Sequence, residues 1–174
     1  MTKKLVTIAF AAALFAVCAW AAVPSVPPFT LQTLGIILAA GLLTPAHTLA
    51  AVGLYLAMGA VGLPVFAQFS GGPAVFAGPT GGFLLGFLPL GFCVSYAAKR
   101  FPNARRALGF GAVIGLALLY VLGALWFYWV AGQPSFAAAL AVSVQPFLVP
   151  DLVKAIIAIA LIRRLRPMFR DYRL

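Results

Sequence analysis

The stretch ALGFGAVIGLALLYVLGALWFYWVA, residues 107–131, carries no charged side chain and no proline. As a helix rising about 1.5 Å per residue it reaches about 37 Å, more than the roughly 30 Å hydrocarbon core of a bilayer. Its end, with Trp126, Tyr128 and Trp129, has the aromatic character of a membrane–water boundary. The run extends in both directions, because residues 107–150 and residues 5–98 contain no Asp, Glu, Lys or Arg. The whole chain of 174 residues is 64% hydrophobic and 8% charged, against roughly 25% charged in a soluble domain. Two acidic residues cannot help cover a water-facing surface of this size. A water-soluble globular domain and a disordered chain are both excluded. An outer-membrane barrel needs a polar-lumen alternation that is absent here. The expected class is an all-α integral membrane protein.

The net charge of +10 does not point to nucleic acid, because the basic residues sit in short clusters beside long apolar runs. They are Lys3 and Lys4, then Lys99, Arg100, Arg105 and Arg106, then Arg163, Arg164, Arg166, Arg170 and Arg173. Such clusters mark cytoplasmic ends under the positive-inside rule. Cys18 and Cys93 lie in apolar runs, which speaks against a disulfide framework. The first 23 residues could be read as a cleavable signal peptide, with Lys3, Lys4 and small residues near Ala19, Ala21 and Ala22. No soluble segment follows, and the same residues serve as a first membrane helix, which is expected to be retained.

The pattern of apolar runs and breakers predicts six transmembrane helices at about 5–23, 30–43, 48–62, 80–98, 107–131 and 150–162, forming one membrane domain over 1–174. Pro24, Pro27 and Pro28 end the first helix. Thr44-Pro45 makes a turn, Thr80 is expected to cap the fourth helix, and Pro89 is a kink within it. Two outer loops, 63–79 and 132–149, are too apolar and too rich in Gly and Pro to be simple solvent loops. The first, within LPVFAQFSGGPAVFAGPTGG at 63–82, needs internal partners for its backbone if it dips to lipid depth. A short surface helix is expected over 136–144 in the second. With the N-terminus inside, eleven of the twelve basic residues fall on the cytoplasmic side, leaving Lys154. Both termini are then cytoplasmic in a multi-pass arrangement.

Asp151 and Lys154 are the charged residues within the membrane-embedded part, and three residues apart they share a helix face. Two readings stand: an ion pair capping the helix behind Pro150, or polar groups of a ligand pocket under the two outer loops. Further candidates for the pocket are Gln32, Thr33, Tyr55 and Gln145, each of which could equally bond the protein's own backbone or core. Ala9, Ala12, Ala13 and Ala16 give the first helix small-residue faces at i, i+4 spacing. Gly82/Gly86 and Gly111/Gly115 also suit close helix packing, within one chain or between copies, so self-association stays open. GPTGG at 78–82 lacks the Gly-Lys-Ser/Thr ending of a phosphate loop, and its glycines suit tight turns and close packing. With no Walker motif, no catalytic set and a single His, the sequence predicts neither an enzyme nor a metal protein, and no cofactor.

The segments TLQTLGIILAAGLL at 30–43, YLAMGAVGLPVFA at 55–67, AGPTGGFLLGF at 77–87 and PDLVKA at 150–155, in this order, resemble BioY. That family is the biotin-specific substrate-binding (S) component of energy-coupling-factor (ECF) transporters. The resemblance implies six helices, an outward-opening biotin pocket and uptake across the bacterial cytoplasmic membrane. It also implies a transmembrane coupling subunit and two ATP-binding cassette subunits as partners, which would use the ATP. By similarity, Asp151 and Lys154 match the acid and base of the family's last-helix motif, and Gly78, Pro79, Thr80, Gly81, Gly82 and Phe83 help build the pocket. Asp151 suits biotin's ureido N–H groups, and Lys154 suits its carboxylate or its ureido oxygen. The small-residue face of the first helix, as Ala9 with Ala13 or Ala12 with Ala16, matches the family's coupling face. The alternatives are an S component for another small vitamin-like carboxylate, or a non-transport membrane scaffold or assembly protein.

Overall fold

A computed structural model of the chain describes residues 2–101 and 105–168. Arg170 and Arg173, which the charge argument placed inside, lie outside the described residues, as does the side chain of Arg105. The chain forms α1 (Thr2–Trp20), a two-stranded hairpin of β1 (Ala22–Val23) and β2 (Phe29–Thr30), then α2 (Gln32–Leu42) and α3 (Pro45–Ala60). A 3₁₀ turn at Ala67–Phe69 and α4 (Pro73–Ala77) precede the long pair α5 (Gly81–Arg100) and α6 (Arg105–Val130). α7 (Phe136–Ser143), a 3₁₀ turn at Gln145–Phe147 and α8 (Leu148–Leu165) complete it.

The breakers act where their chemistry requires. α1 stops before the Pro24–Pro28 segment, where the chain turns back through the antiparallel pairs Ala22↔Thr30 and Val23↔Phe29. Ser25 fixes this turn by donating to the Pro27 carbonyl at 2.6 Å and accepting from the Phe29 N–H at 3.2 Å. α3 begins at Pro45 rather than near Thr48. Pro occupies the first turn, where its missing N–H costs nothing, and the Thr44 hydroxyl accepts from the His47 N–H. Thr80 does not act as the expected side-chain cap of α5. It stands at the cap position, yet its hydroxyl accepts nothing there. Its carbonyl instead accepts from Phe83 and Leu84, and Gly81 donates to the Gly78 carbonyl.

α5 and α6 run side by side in the most extensive helix–helix contact among the described residues. A Cβ on Gly86 would lie 3.0 Å from the Leu119 Cα, and one on Gly115 would lie 3.0 Å from the Leu90 Cα. Both glycine pairs therefore pack α5 against α6 within the chain, where backbones meet without intervening side chains. α2 is the central helix. Ile36, Ile37 and Ala40 are fully buried in it, with α8, α5 and α1 around it. Phe15, Tyr55 and Phe66 meet edge to face, with ring centres 6.0 and 5.3 Å apart. Phe110, Val121, Trp129, Val149, Val153 and Ile156 point outward and are exposed, a surface suited to lipid rather than water.

Among the described residues, four helical stretches are long and apolar enough to cross a membrane: Thr2–Trp20, Gly81–Arg100, Arg106–Val130 and Phe136–Leu165. Of the six transmembrane helices expected from the sequence, four are thus matched by a stretch of full spanning length and composition. α2, with 11 residues, and α3, with 16, fall short, because Thr44-Pro45 and Gly62-Leu63-Pro64 cut their apolar runs.

Candidate functional site

The first turns of α8 carry Asp151 and Lys154 toward the interior, where they are 3% and 5% exposed. An ion in apolar surroundings persists only if its bonding capacity is met. The Asp151 carboxylate accepts from the Lys154 ammonium at 2.8 Å and from the Thr33 hydroxyl at 2.9 Å, both on Oδ1. Its Oδ2 accepts from the Tyr120 hydroxyl at 2.8 Å. Lys154 also donates to the Thr30 carbonyl at 2.6 Å and lies 3.9 Å from the centre of the Phe29 ring. Four elements, α2, α6, α8 and the β hairpin, are pinned to one ion pair. Of the two readings left open by the sequence, an ion pair that only caps the helix does not describe this arrangement, because the pair is part of a buried network.

The network continues away from the charges. The Thr30 hydroxyl donates to Gln32 Oε1 at 2.8 Å, Gln32 Nε2 donates to the Tyr55 hydroxyl at 2.6 Å, and Tyr55 donates to the Val65 carbonyl at 3.2 Å. This line ties the hairpin to the loop after α3. That loop is further held by Trp20, whose Nε1 donates to the Pro64 carbonyl at 2.8 Å and whose ring stacks on Phe69 at 5.2 Å. Gln68 and Phe69 turn with φ of 58° and 56°, a left-handed geometry that non-glycine residues seldom adopt.

Beside the ion pair is a cavity of about 440 Å³, within the range of small-molecule sites. Its floor is Asp151, Lys154, Thr33 and Tyr120; its walls include Phe66, Phe83, Leu84, Phe87 and Leu119; its rim is formed by residues 25–28 and by Gln68 and Ser70. Of the residues expected in the pocket, Asp151, Lys154, Gln32, Thr33, Pro79, Thr80 and Phe83 line it. Tyr55 stands behind it, fully buried, as the support of Gln32. Gly78, Gly81 and Gly82 are not in the lining. The Gly78 carbonyl accepts from Trp126 Nε1 at 2.9 Å. A Cβ on Gly81 would strike the Phe76 carbonyl, and one on Gly82 would strike Trp126. These glycines let the loop and α5 close onto their neighbours, which shapes the cavity without touching its contents. Gln145 is exposed, outside the cavity, because the 3₁₀ turn that contains it carries its side chain outward while placing Phe147 on the wall.

Sequence reasoning missed Tyr120, Phe147, Phe66 and the 25–28 segment. Tyr120 had a signal, being a lone hydroxyl halfway along an apolar helix. The aromatic walls had none, since Phe is the ordinary filling of such a core. On α1 the structure separates the two alanine pairs. Ala12 and Ala16 are 1% and 5% exposed and pack inside the chain, so they offer no face to a partner. Ala9 and Ala13 are exposed.

Known proteins share this architecture. A solved structure described as the S-component for biotin from an ECF-type ABC transporter superposes with a TM-score of 0.87 at 28% identity, covering 95% of this chain and 92% of that one. The biotin transporter BioY of Thermotoga maritima is 37% identical over 169 residues, 95% of this chain and 97% of its own length. The BioY of Rhodobacter capsulatus is 40% identical over 151 residues, 78% of this chain and 79% of that protein. The BioY family model matches residues 1–171, and with that match along nearly its whole length the chain belongs to the BioY family.

Proposed function

We propose that the chain is the biotin-binding, substrate-specific subunit of an ECF-type transporter and serves biotin uptake across the bacterial cytoplasmic membrane. The carrying observation is the unused bonding capacity of the ion pair. A carboxylate offers about four lone-pair directions and an ammonium three N–H donors. Asp151 accepts three bonds and Lys154 donates two. One acceptor direction on Oδ2 and one N–H on Nζ, which also lies against the Phe29 ring, remain in two residues that line a mainly apolar cavity. A cyclic urea presents a matching N–H donor and carbonyl acceptor. Biotin's ureido ring has these groups, and its thioether ring and alkyl chain suit the Phe83, Leu84 and Phe87 walls. The ureido group is neutral, so it joins a neutral pair without adding a buried charge. A carboxylate at Lys154 would instead compete with Asp151. Lys154 therefore meets the ureido oxygen, and the valerate carboxylate lies toward the rim.

In the membrane, α1, α2, α3, α5, α6 and α8 form six segments with both termini cytoplasmic. The basic residues at the ends of α5, α6 and α8 favour that orientation. α2 can be short because it is enclosed by other helices. With no phosphate-binding motif in its sequence, the chain relies on two ATP-binding cassette subunits for hydrolysis, through a transmembrane coupling subunit docked on the Ala9/Ala13 face. The test is equilibrium binding of labelled biotin to the purified chain, with competitors. Desthiobiotin, which keeps the ureido ring, should displace the label, whereas thiamine and riboflavin should not. Absence of saturable biotin binding, or equal competition by the other vitamins, would sink the proposal.

A further inference from the structure

We propose that the cleft between α5 and α6, at the end opposite Asp151, is a binding site for one anionic phospholipid. The cleft has a volume of about 440 Å³ and is lined by Phe92, Cys93, Tyr96, Phe101, Phe110 and Ile114, with Ala97, Ala107 and Gly111 at its base. It exists because the helices meet through small residues there. A Cβ on Gly111 would lie 2.8 Å from the Ala97 Cβ and 2.9 Å from the Cys93 carbonyl, so the backbones touch and the large side chains splay to either side. Phe92, Tyr96, Phe110 and Ile114 are 44%, 54%, 67% and 54% exposed, giving an apolar trough open along its length, the shape an acyl chain fills.

Charge identifies the headgroup. The trough runs toward Lys99 and Arg100 at the end of α5 and Arg106 at the start of α6, all exposed. Arg100 lies over the Phe101 ring at 5.4 Å, which places its guanidinium at the lip of the trough. No acidic side chain among the described residues can neutralise these cations, since Asp151 is held by Lys154 in the other cavity. The whole sequence supplies two acidic residues against twelve basic ones, so most of the counter-charge for its basic residues comes from outside the chain. A phosphodiester beside a cytoplasmic basic cluster, with its acyl chain in an adjoining apolar trough, meets both requirements at once.

The test is native mass spectrometry of the full chain in detergent with phosphatidylglycerol or phosphatidylcholine of identical acyl chains. Wild type should retain phosphatidylglycerol over phosphatidylcholine by about tenfold or more, as three surface cations provide. Lys99→Gln, Arg100→Gln and Arg106→Gln together should erase that preference. Ala107→Trp, or Ile114→Trp at a position that is already exposed, should fill the trough and reduce retention of both lipids. Equal retention of the two lipids by wild type overturns the proposal. So does undiminished phosphatidylglycerol retention by both Trp variants. Loss of co-purifying coupling subunit in those variants, with lipid retention unchanged, would make the trough a protein interface and also overturn it. Biotin binding is not involved in any of these readouts.

Discussion

Removing the two charges of the pocket singly and together separates its architecture from its recognition chemistry. In Asp151→Asn the Lys154 ammonium stays buried, keeping the Thr30 carbonyl and the Phe29 ring face but losing its anion. Leaving one member of a buried pair uncompensated costs about 3–5 kcal/mol of stability. Lys154→Met leaves the Asp151 carboxylate with two neutral donors, Thr33 and Tyr120, and falls in the same range. The double variant removes both charges, and Met fills the volume of the lysine stem, so much of the lost stability should return. Binding should not return with it. Each single variant deletes one half of the donor–acceptor edge offered to the ligand, at about 1–3 kcal/mol per unmet bond, or about ten- to a hundredfold in Kd; the double variant deletes both. The assays are thermal unfolding in detergent and equilibrium binding of labelled biotin to all four proteins. A double variant that binds biotin like wild type would reduce the pair to a structural strut. A double variant as unstable as the sum of the two singles would show that the charges are not coupled.

Other outcomes follow from the placement of single residues. Ala9→Leu with Ala13→Leu should leave biotin affinity unchanged while co-purification with the coupling subunit and vesicle uptake fall, because these alanines are exposed. Ala12→Leu with Ala16→Leu should instead lower thermal stability of the isolated subunit by about 1–3 kcal/mol through overpacking, given their burial. Tyr55→Phe should cost about 1–3 kcal/mol, read as a lowered unfolding temperature, since Gln32 Nε2 and the Val65 carbonyl each lose their partner. Gln145→Ala should bind biotin as wild type does, because that side chain lies outside the cavity.

The sequence by itself determined the membrane class, the predominance of helix and the presence of a charged pair in an apolar setting. Charge-free runs over 5–98 and 107–150 admit no water-soluble packing, and hydrophobic runs, prolines and basic clusters act locally, so they can be read along the chain. Asp151 and Lys154 stood out for a related reason: an ion is so costly in an apolar setting that its presence is itself a signal. Tertiary structure decided what depends on distance in space rather than along the chain. Thr33 and Tyr120 reach Asp151 across 118 and 31 residues, and no local pattern encodes such a meeting. The roles of the glycines at 78–82 turned on Trp126 and Phe76, and the burial of Ala12 and Ala16 against the exposure of Ala9 and Ala13 turned on which side of α1 faces α2 and α3. Spacing places residues on a face of a helix; only the packing of the other helices decides whether that face meets a ligand, a neighbour in the same chain, or lipid.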